Sequence, residues 1–300
     1  MKNTSSRFIA IAQAVFVVFL WATSWVLVKI GLQDIPPVTF AGLRYFLAFL
    51  CLLAVMNLNG AKRDVRELPK AAWLRLVILG ILFYAITQGA IFVALAHLPA
   101  VTVNLLWSFS SVIVAVLGAV WLSERPSAVQ WMGMTLAILG ALIYFFPVSI
   151  PHNQTIGVIV ALLGILANAV SSILGRDINR SGKYPPLVVT VVSMGAGSIL
   201  LLAAGIATEG VPAINLRSWG IILWLALVNT AFAFTLWNHT LRTLSAVESS
   251  IINGTMMIWI PILAILFLGE TITGKEIIGL IITGLGTLIV QLRRSTANKG

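Results

Sequence analysis

Charge is scarce in this sequence. Asp, Glu, Lys and Arg make up 9% of its 300 residues, where a soluble domain carries about a quarter. Hydrophobic residues reach 59% and the mean hydropathy is +1.02, which excludes a soluble globular fold and places the chain in a bilayer. Acidic residues are scarcer still, 9 against 19 basic ones, and none falls near the middle of an apolar segment: Glu124 and Glu270 close such segments and Glu248 opens one. That distribution excludes cation binding by a buried carboxylate. The single cysteine, Cys51, lies in an apolar run; it rules out a disulfide framework and a thiolate metal site and reads as a small core residue. His97 and His239 stand close to segment ends and read as structural rather than as proton carriers. No metal and no cofactor is expected. Neither an H-E-x-x-H nor a G-x-S-x-G motif occurs, nor a close carboxylate pair within the helices, so an enzyme is not expected. The charge ring or filter motif of a channel is missing as well. A net charge of +10 does not point to nucleic acid, because the basic residues sit in short loops between apolar segments.

What is present is a series of ten apolar segments, near 8–31, 36–57, 72–96, 99–122, 127–146, 156–175, 186–207, 218–241, 246–268 and 274–292. Each is long enough to cross a hydrocarbon core of about 30 Å as a helix. Lys2 and Arg7 followed by an apolar run could imitate a signal peptide, but the run continues to about Leu32, too long for an h-region. Proline marks many of the short connections, at Pro36-Pro37, Pro99, Pro126, Pro147, Pro151, Pro185-Pro186 and Pro212. With the N-terminus inside, only Lys29, Arg217 and Lys275 of the 19 basic residues fall outside, and Arg44 lies within a helix. Because Lys and Arg of short loops stay on the cytoplasmic side, both termini are expected in the cytoplasm and the chain in the cell membrane.

The segments are not independent. The run NLLWSFSSVIVAVLGAVWLSE, ending at Glu124, lies over SIINGTMMIWIPILAILFLGE, ending at Glu270, at an offset of 146 residues. The same offset sets Trp73 on Trp219, Leu98 on Leu244, Ala100 and Val101 on Ala246 and Val247, Gly133 on Gly279 and Gly140 on Gly286. Such a register reads as an internal duplication, residues 1–148 and 149–300, each copy with five helices. An odd number of helices turns the second copy over in the membrane, the plan of many secondary transporters, whose substrate sites lie at the repeat interface. The fold class read here is all-α integral membrane, ten transmembrane helices in two inverted five-helix repeats.

The two five-helix copies, TFAGLRYFLA in the second helix, and the Glu closing the fourth and ninth helices in WLSE and FLGE resemble the EamA family of the drug/metabolite transporter superfamily. The resemblance covers roughly residues 10 to 292. It implies a ten-helix exporter with a cavity lined chiefly by helices 1, 3, 4, 6, 8 and 9, carrying amino acids, other small metabolites or drugs. Small multidrug proton antiporters of that superfamily depend on a central Glu in the first helix, and this first helix has none.

Polar residues on one face of a membrane helix mark a helix contact or a cavity. In the fourth helix Asn104, Trp107, Ser108 and Ser111 form one stripe, and 146 residues later the ninth carries Ser250, Asn253, Gly254 and Met257. Weaker stripes are Trp21, Ser24 and Trp25 in helix 1, Tyr84 and Gln88 in helix 3, Asn168 and Ser171 in helix 6, and Phe234, Trp237 and Asn238 in helix 8. These are the candidate substrate-binding residues; aromatic walls with a few amides and hydroxyls suit a ligand with an apolar body and a polar head. Close helix packing accounts for small and polar stripes equally well. Trp73, Trp131 and Trp219 near segment ends read as interfacial, and Lys29 as snorkelling to the interface. Arg44 could bind a substrate carboxylate; the alternative is that it caps helix carbonyls or reaches a vestibule, and a peripheral second helix, as in the resembling family, favours that alternative. The pairs Gly133 and Gly140, Gly279 and Gly286 read as packing ridges.

The reading is an exporter of small metabolites, amino acids or related compounds including aromatic ones, by alternating access; the alternative is efflux of aromatic or cationic drugs held by cation–π contacts with Trp21, Trp25 and Trp107. The expected partners are the small-molecule substrate and the lipid bilayer, and the chain acts as a monomer or weak homodimer.

Overall fold

A computed structural model describes residues 4–58, 65, 67–121, 127–147, 151–180, 183–241, 243–244 and 246–292. They form ten helices long and apolar enough to cross a membrane. These are α1 (Thr4–Gly31), α2 (Pro37–Leu58), α3 (Lys70–His97), α4 (Ala100–Ser108 and Ser110–Trp121), α5 (Ala128–Phe145), α6 (His152–Arg180), α7 (Pro186–Glu209), α8 (Leu216–Thr240), α9 (Ala246–Gly254 and Met256–Leu268) and α10 (Gly274–Leu292). Hydropathy sets their length, and local chemistry sets their ends. Ser127 opens α5 with a full capping box, its hydroxyl accepting from the Gln130 N–H while Gln130 Oε1 accepts from the Ser127 N–H. Left-handed Gly269, φ 66°, closes α9. Glu124 lies outside the described residues.

Among the described residues α3, α4, α8 and α9 depart from α geometry at positions that correspond. A π-helical stretch, with its wider i→i+5 turns, occupies Ile81–Thr87 in α3 and Leu227–Phe232 in α8, and Ile81 and Leu227 stand 146 positions apart. α4 is interrupted at Phe109 and α9 at Thr255, again 146 apart. At each interruption the N–H donates three residues back instead of four, Phe109 to Leu106 and Thr255 to Ile252, both at 3.1 Å. The offset found in the apolar runs thus governs backbone irregularities that hydropathy does not encode.

The described fold divides into two compact units, Met1–Val26, Leu98–Thr155 and Phe232–Gly300 in one, and Leu27–His97 and Ile156–Ala231 in the other. Each unit draws helices from both halves of the sequence. In the first unit α5 and α10 run with their backbones in contact: a Cβ built on Gly279 would lie 2.7 Å from Gly140 O, and one on Gly133 2.8 Å from Gly286 O. The four glycines read as packing ridges therefore face one another across this single helix pair. Thr102 and Tyr144 share a hydrogen bond of 3.0 Å that ties α4 to α5. Proline opens α4 without a side-chain cap, and Glu270 from the end of α9 supplies one, accepting from the N–H groups of Ala100 (2.6 Å) and Val101 (3.1 Å). Arg7 pairs with Glu248.

The second unit repeats the device. Glu209, ending α7, accepts from the N–H groups of Val38 (3.1 Å) and Thr39 (2.8 Å) at the start of α2. α2, α3 and α7 pack through Gly42, Gly80, Gly197 and Gly205, each against backbone of a neighbour, and Leu76, Leu79, Val188 and Val192 fill the adjoining core. Lys29 Nζ donates to Leu95 O at 2.6 Å, near the end of α3. In the loop after α1, Asp34 Oδ2 accepts from Asn215 Nδ2 (3.1 Å) and Ser218 Oγ (2.9 Å), while Asn215 itself caps α8.

Two outcomes follow. A methyl at position 140 must displace backbone, so Gly140→Ala should destabilise by about 1–3 kcal/mol; nothing lies within 4 Å of a Cβ at Gly284, so Gly284→Ala should be neutral or stabilise by up to about 1 kcal/mol. Thermal unfolding in detergent reads both, and the reverse order would contradict the α5–α10 packing. The hydrogen bonds from Asn215 and Ser218 hold the Asp34 carboxyl below its ordinary 3.8. A depressed pKa gives stability that is present above the unfolded value and is lost as pH falls through the folded one. The advantage in melting temperature of the wild type over Asp34→Asn should therefore hold from about pH 5 upward and shrink below pH 3.8.

Candidate functional site

Within the unit that contains α4, α5, α9 and α10, aromatic side chains bring α1 and α8 together. The Trp21 ring lies 5.2 Å from that of Phe234 and 5.2 Å from that of Trp237, spacings at which tilted aromatic pairs attract. Trp21 and Trp237 also pack on the apolar cluster of Ala10, Ala14, Val18, Leu244 and Ile252. Trp25 and Trp107 are partly buried.

Two donors in this unit are left over. Trp21 Nε1 and Asn104 Nδ2 are buried without a hydrogen-bond partner, and Asn104 as a whole is only 5% exposed. An unsatisfied buried donor costs about 1–3 kcal/mol, so each is a place where an acceptor would be favoured. The hydroxyls of the same stripes are occupied: Ser108 donates to Leu105 O at 2.6 Å and Ser111 to Ser108 O at 2.9 Å, both around the interruption of α4. Ser24 is buried and 3.5 Å from Leu20 O.

The ninth-helix stripe lies elsewhere. Met257 and Gly254 line an apolar groove of about 430 Å³ between α9 and α10, with Ile258, Ile281 and Leu288, and Asn253 is exposed. The side chains of Ser250 and Asn238 lie outside the described residues.

In the other unit Tyr84 and Gln88 meet side chains that the sequence stripes omit. Tyr45 Oη donates to Gln88 Oε1 at 2.7 Å, and the rings of Tyr45 and Tyr84 are 5.7 Å apart. Ser171 donates to Asn168 O on its own helix at 2.9 Å. Arg44 is buried, its guanidinium 5.1 Å from the Tyr45 ring and 6.0 Å from that of Phe92, and its Nε donates to Thr230 Oγ at 3.2 Å. Depth and charge mark Arg44 in the sequence, and its partner Thr230 stands on the helix 8 stripe with Phe234, Trp237 and Asn238; that the two meet is not legible there. Among the described residues no three of His, Cys, Asp and Glu stand together as metal ligands would.

The model of the EamA-like transporter family matches this chain twice, over residues 8–146 and 155–292. The chain belongs to that family. It is a multi-pass membrane transporter. It is similar to the uncharacterized transporter YoaV of Bacillus subtilis, 24% identical over 88% of this chain and 90% of that one. A probable amino-acid metabolite efflux pump of Salmonella typhimurium is 25% identical over 92% of both chains, and the uncharacterized inner membrane transporter YedA of Escherichia coli is 23% identical over 95% of this chain and 90% of its own. A solved crystal structure shares the fold of this EamA-like chain with a TM-score of 0.66 at 17% identity, over 94% of this chain and 97% of that one.

Replacing the Asn104 amide by an apolar group of similar shape removes an unsatisfied polar atom without a cavity. Asn104→Leu should therefore leave the ligand-free melting temperature unchanged or raise it, while Trp21→Ala, which empties the ring cluster, should cost about 3–5 kcal/mol. Differential scanning fluorimetry distinguishes them, and a large loss of stability in Asn104→Leu would show that its amide is structural.

Proposed function

We propose that this EamA-like protein exports small metabolites across the cytoplasmic membrane, amino acids or related compounds including aromatic ones, by alternating access of two inverted repeats, residues 1–148 and 149–300, with both termini in the cytoplasm. Two matches of one family model, one in each half, and irregularities of α3, α4, α8 and α9 that correspond at an offset of 146 support the repeats. The distribution of basic residues supports the orientation. The relatives named for amino-acid metabolite efflux, in Salmonella typhimurium and in Escherichia coli at 24% identity, support the substrate class.

The observation that carries the reading is the character of the buried polar atoms. Trp21 Nε1 and Asn104 Nδ2 are donors awaiting an acceptor, and Asp177, Glu209, Glu248 and Glu276 all stand within about a turn of a helix end. Glu270, at the turn before Asn104, is taken up by the N–H groups of Ala100 and Val101, and the leftover donors suit a substrate that brings its own acceptor, such as a carboxylate or carbonyl, better than a cation. The Trp21, Phe234 and Trp237 rings suit an apolar or aromatic body. The same rings are the one feature that favours the second reading, efflux of aromatic cations.

Counterflow into preloaded proteoliposomes separates the two. L-Phenylalanine, L-leucine and their N-acetyl derivatives should exchange, whereas phenethylamine and tetraphenylphosphonium should not. Loss of one hydrogen bond to a charged group, worth about 1.5–3 kcal/mol, should weaken the apparent affinity of Trp21→Phe or Asn104→Leu for the acids about 10- to 100-fold. Exchange of tetraphenylphosphonium but of no carboxylate would overturn the first reading in favour of the second.

A further inference from the structure

Two consecutive residues of α2 reach the π-helical stretches of two other helices. Arg44 Nε donates to Thr230 Oγ, inside the stretch Leu227–Phe232 of α8. Tyr45 packs its ring on Tyr84, inside the stretch Ile81–Thr87 of α3, and its Oη donates to Gln88 directly after it. We propose that Arg44 and Tyr45 are positioning residues for transport: they clamp the two π-helical stretches and so fix the angular place of the substrate-facing side chains on α3 and α8. The inference rests on the transport reading above.

A π-helical turn holds an extra residue, and one residue corresponds to about 100° of helix rotation. Side chains on either side of such a stretch share a face only while the extra residue stays in it. Tyr84 and Gln88 on α3, and Phe234 and Trp237 beyond the stretch of α8, therefore take their direction from a conformation that is rare and is found chiefly at functional sites. Part of the support is internal, since Thr87 and Thr230 each donate to the carbonyl five residues back, Leu82 and Leu225, at 2.8 Å. Thr230 is fully buried, and its oxygen is the atom to which Arg44 donates. One hydroxyl thus accepts from the guanidinium while it donates to the π-helical carbonyl, so that the two bonds polarise each other in the same sense.

The clamp is not a by-product of the duplicated architecture. The stretches correspond at an offset of 146 and the proline pairs that open α2 and α7 at 149, so the positions on α7 that correspond to Arg44 and Tyr45 hold Ser193 and Met194; Ser193 donates to Val189 O on its own helix. A guanidinium in the hydrocarbon layer is costly to bury, and its place between the Tyr45 and Phe92 rings offsets part of that cost. The chain also passes from one compact unit to the other between Ala231 and Phe232, so the Thr230 bond stands where α8 leaves the unit that holds Arg44.

The test pairs a local readout with a kinetic one. Thr230→Val keeps the shape and removes the acceptor, Arg44→Lys keeps the charge and removes the Nε donor, and Tyr45→Phe keeps the ring. Hydrogen exchange in detergent should speed up about tenfold at 227–232 in the first two and at 81–88 in the third, with the fold retained in all three. With L-phenylalanine as the counterflow probe, KM should rise about tenfold and maximal rate change less than twofold, and Arg44→Lys combined with Thr230→Val should be no worse than either alone. Unchanged exchange would overturn the clamp. Faster exchange with unchanged KM would reduce it to a purely structural contact and overturn the positioning role. Absence of counterflow in the unsubstituted protein for every compound tried would overturn the transport reading and the positioning role with it, while the exchange data would still decide whether the clamp exists.

Discussion

In the hydrocarbon layer no water is at hand, so every backbone N–H and C=O must find its partner within the protein. A long α-helix satisfies this at no further cost, and each departure from it needs a local remedy. At the two π-helical stretches and the two helix interruptions among the described residues a hydroxyl supplies the remedy from its own helix: Thr87 at Leu82 O, Ser108 at Leu105 O, Thr230 at Leu225 O and Thr255 at Ile252 O. Helix ends pose the same demand. The proline that opens α4 has no side chain with which to cap the following N–H groups, and a carboxylate 169 to 170 residues further along the chain, Glu270, serves instead. Glu209 does the same for α2. Carboxylates at helix N-termini also meet the positive end of the helix dipole, which is why the scarce acidic residues gather at the ends of the spans.

Much of the fold was legible in the sequence because length and apolar content alone decide which segments can span a bilayer. The segments expected at 246–268 and 274–292 coincide with α9 and α10, and the glycine pairs read as packing ridges meet across α5 and α10. Other features left no trace. An extra residue in a π-helical turn is as apolar as its neighbours, so the stretches in α3 and α8 are invisible to hydropathy. Compact units interleave the two halves of the sequence because packing follows from which faces fit, not from contiguity in the chain.

The candidate site was legible in part, for a similar reason. Helical spacing put Trp21 and Phe234 on stripes but could not bring the stripes together; the 5.2 Å approach of their rings is a tertiary fact. Spacing also groups residues by face without saying what occupies their polar atoms. Ser108 and Ser111 share the stripe of Asn104, yet their protons go to their own backbone, while the Asn104 amide is left without an acceptor. A hydroxyl can turn back to a carbonyl three or four residues earlier. A carboxamide can reach such a carbonyl too, as Asn179 does at Gly175 O (2.8 Å); the Asn104 amide does not, which makes Asn104 the more informative residue of its stripe.

Where corresponding positions agree and where they differ has a physical meaning for the proposed repeats. Backbone irregularities agree, as the paired π-helical stretches and the paired interruptions at Phe109 and Thr255 show. Side chains around them differ: Arg44 and Tyr45 against Ser193 and Met194, and Ser108 and Ile138 against Gly254 and Gly284. In an inverted-repeat transporter each half must be able to take the shape of the other when access alternates. That requires both to possess the same points of bending, and so keeps the backbone alike. The energies of the two states need not be equal, however, and side chains present in only one copy set their difference. In the proposed cycle a hydrogen-bonded, cation–π-supported guanidinium such as that of Arg44, present on α2 and absent on α7, would therefore favour one state over the other without altering the shared points of bending.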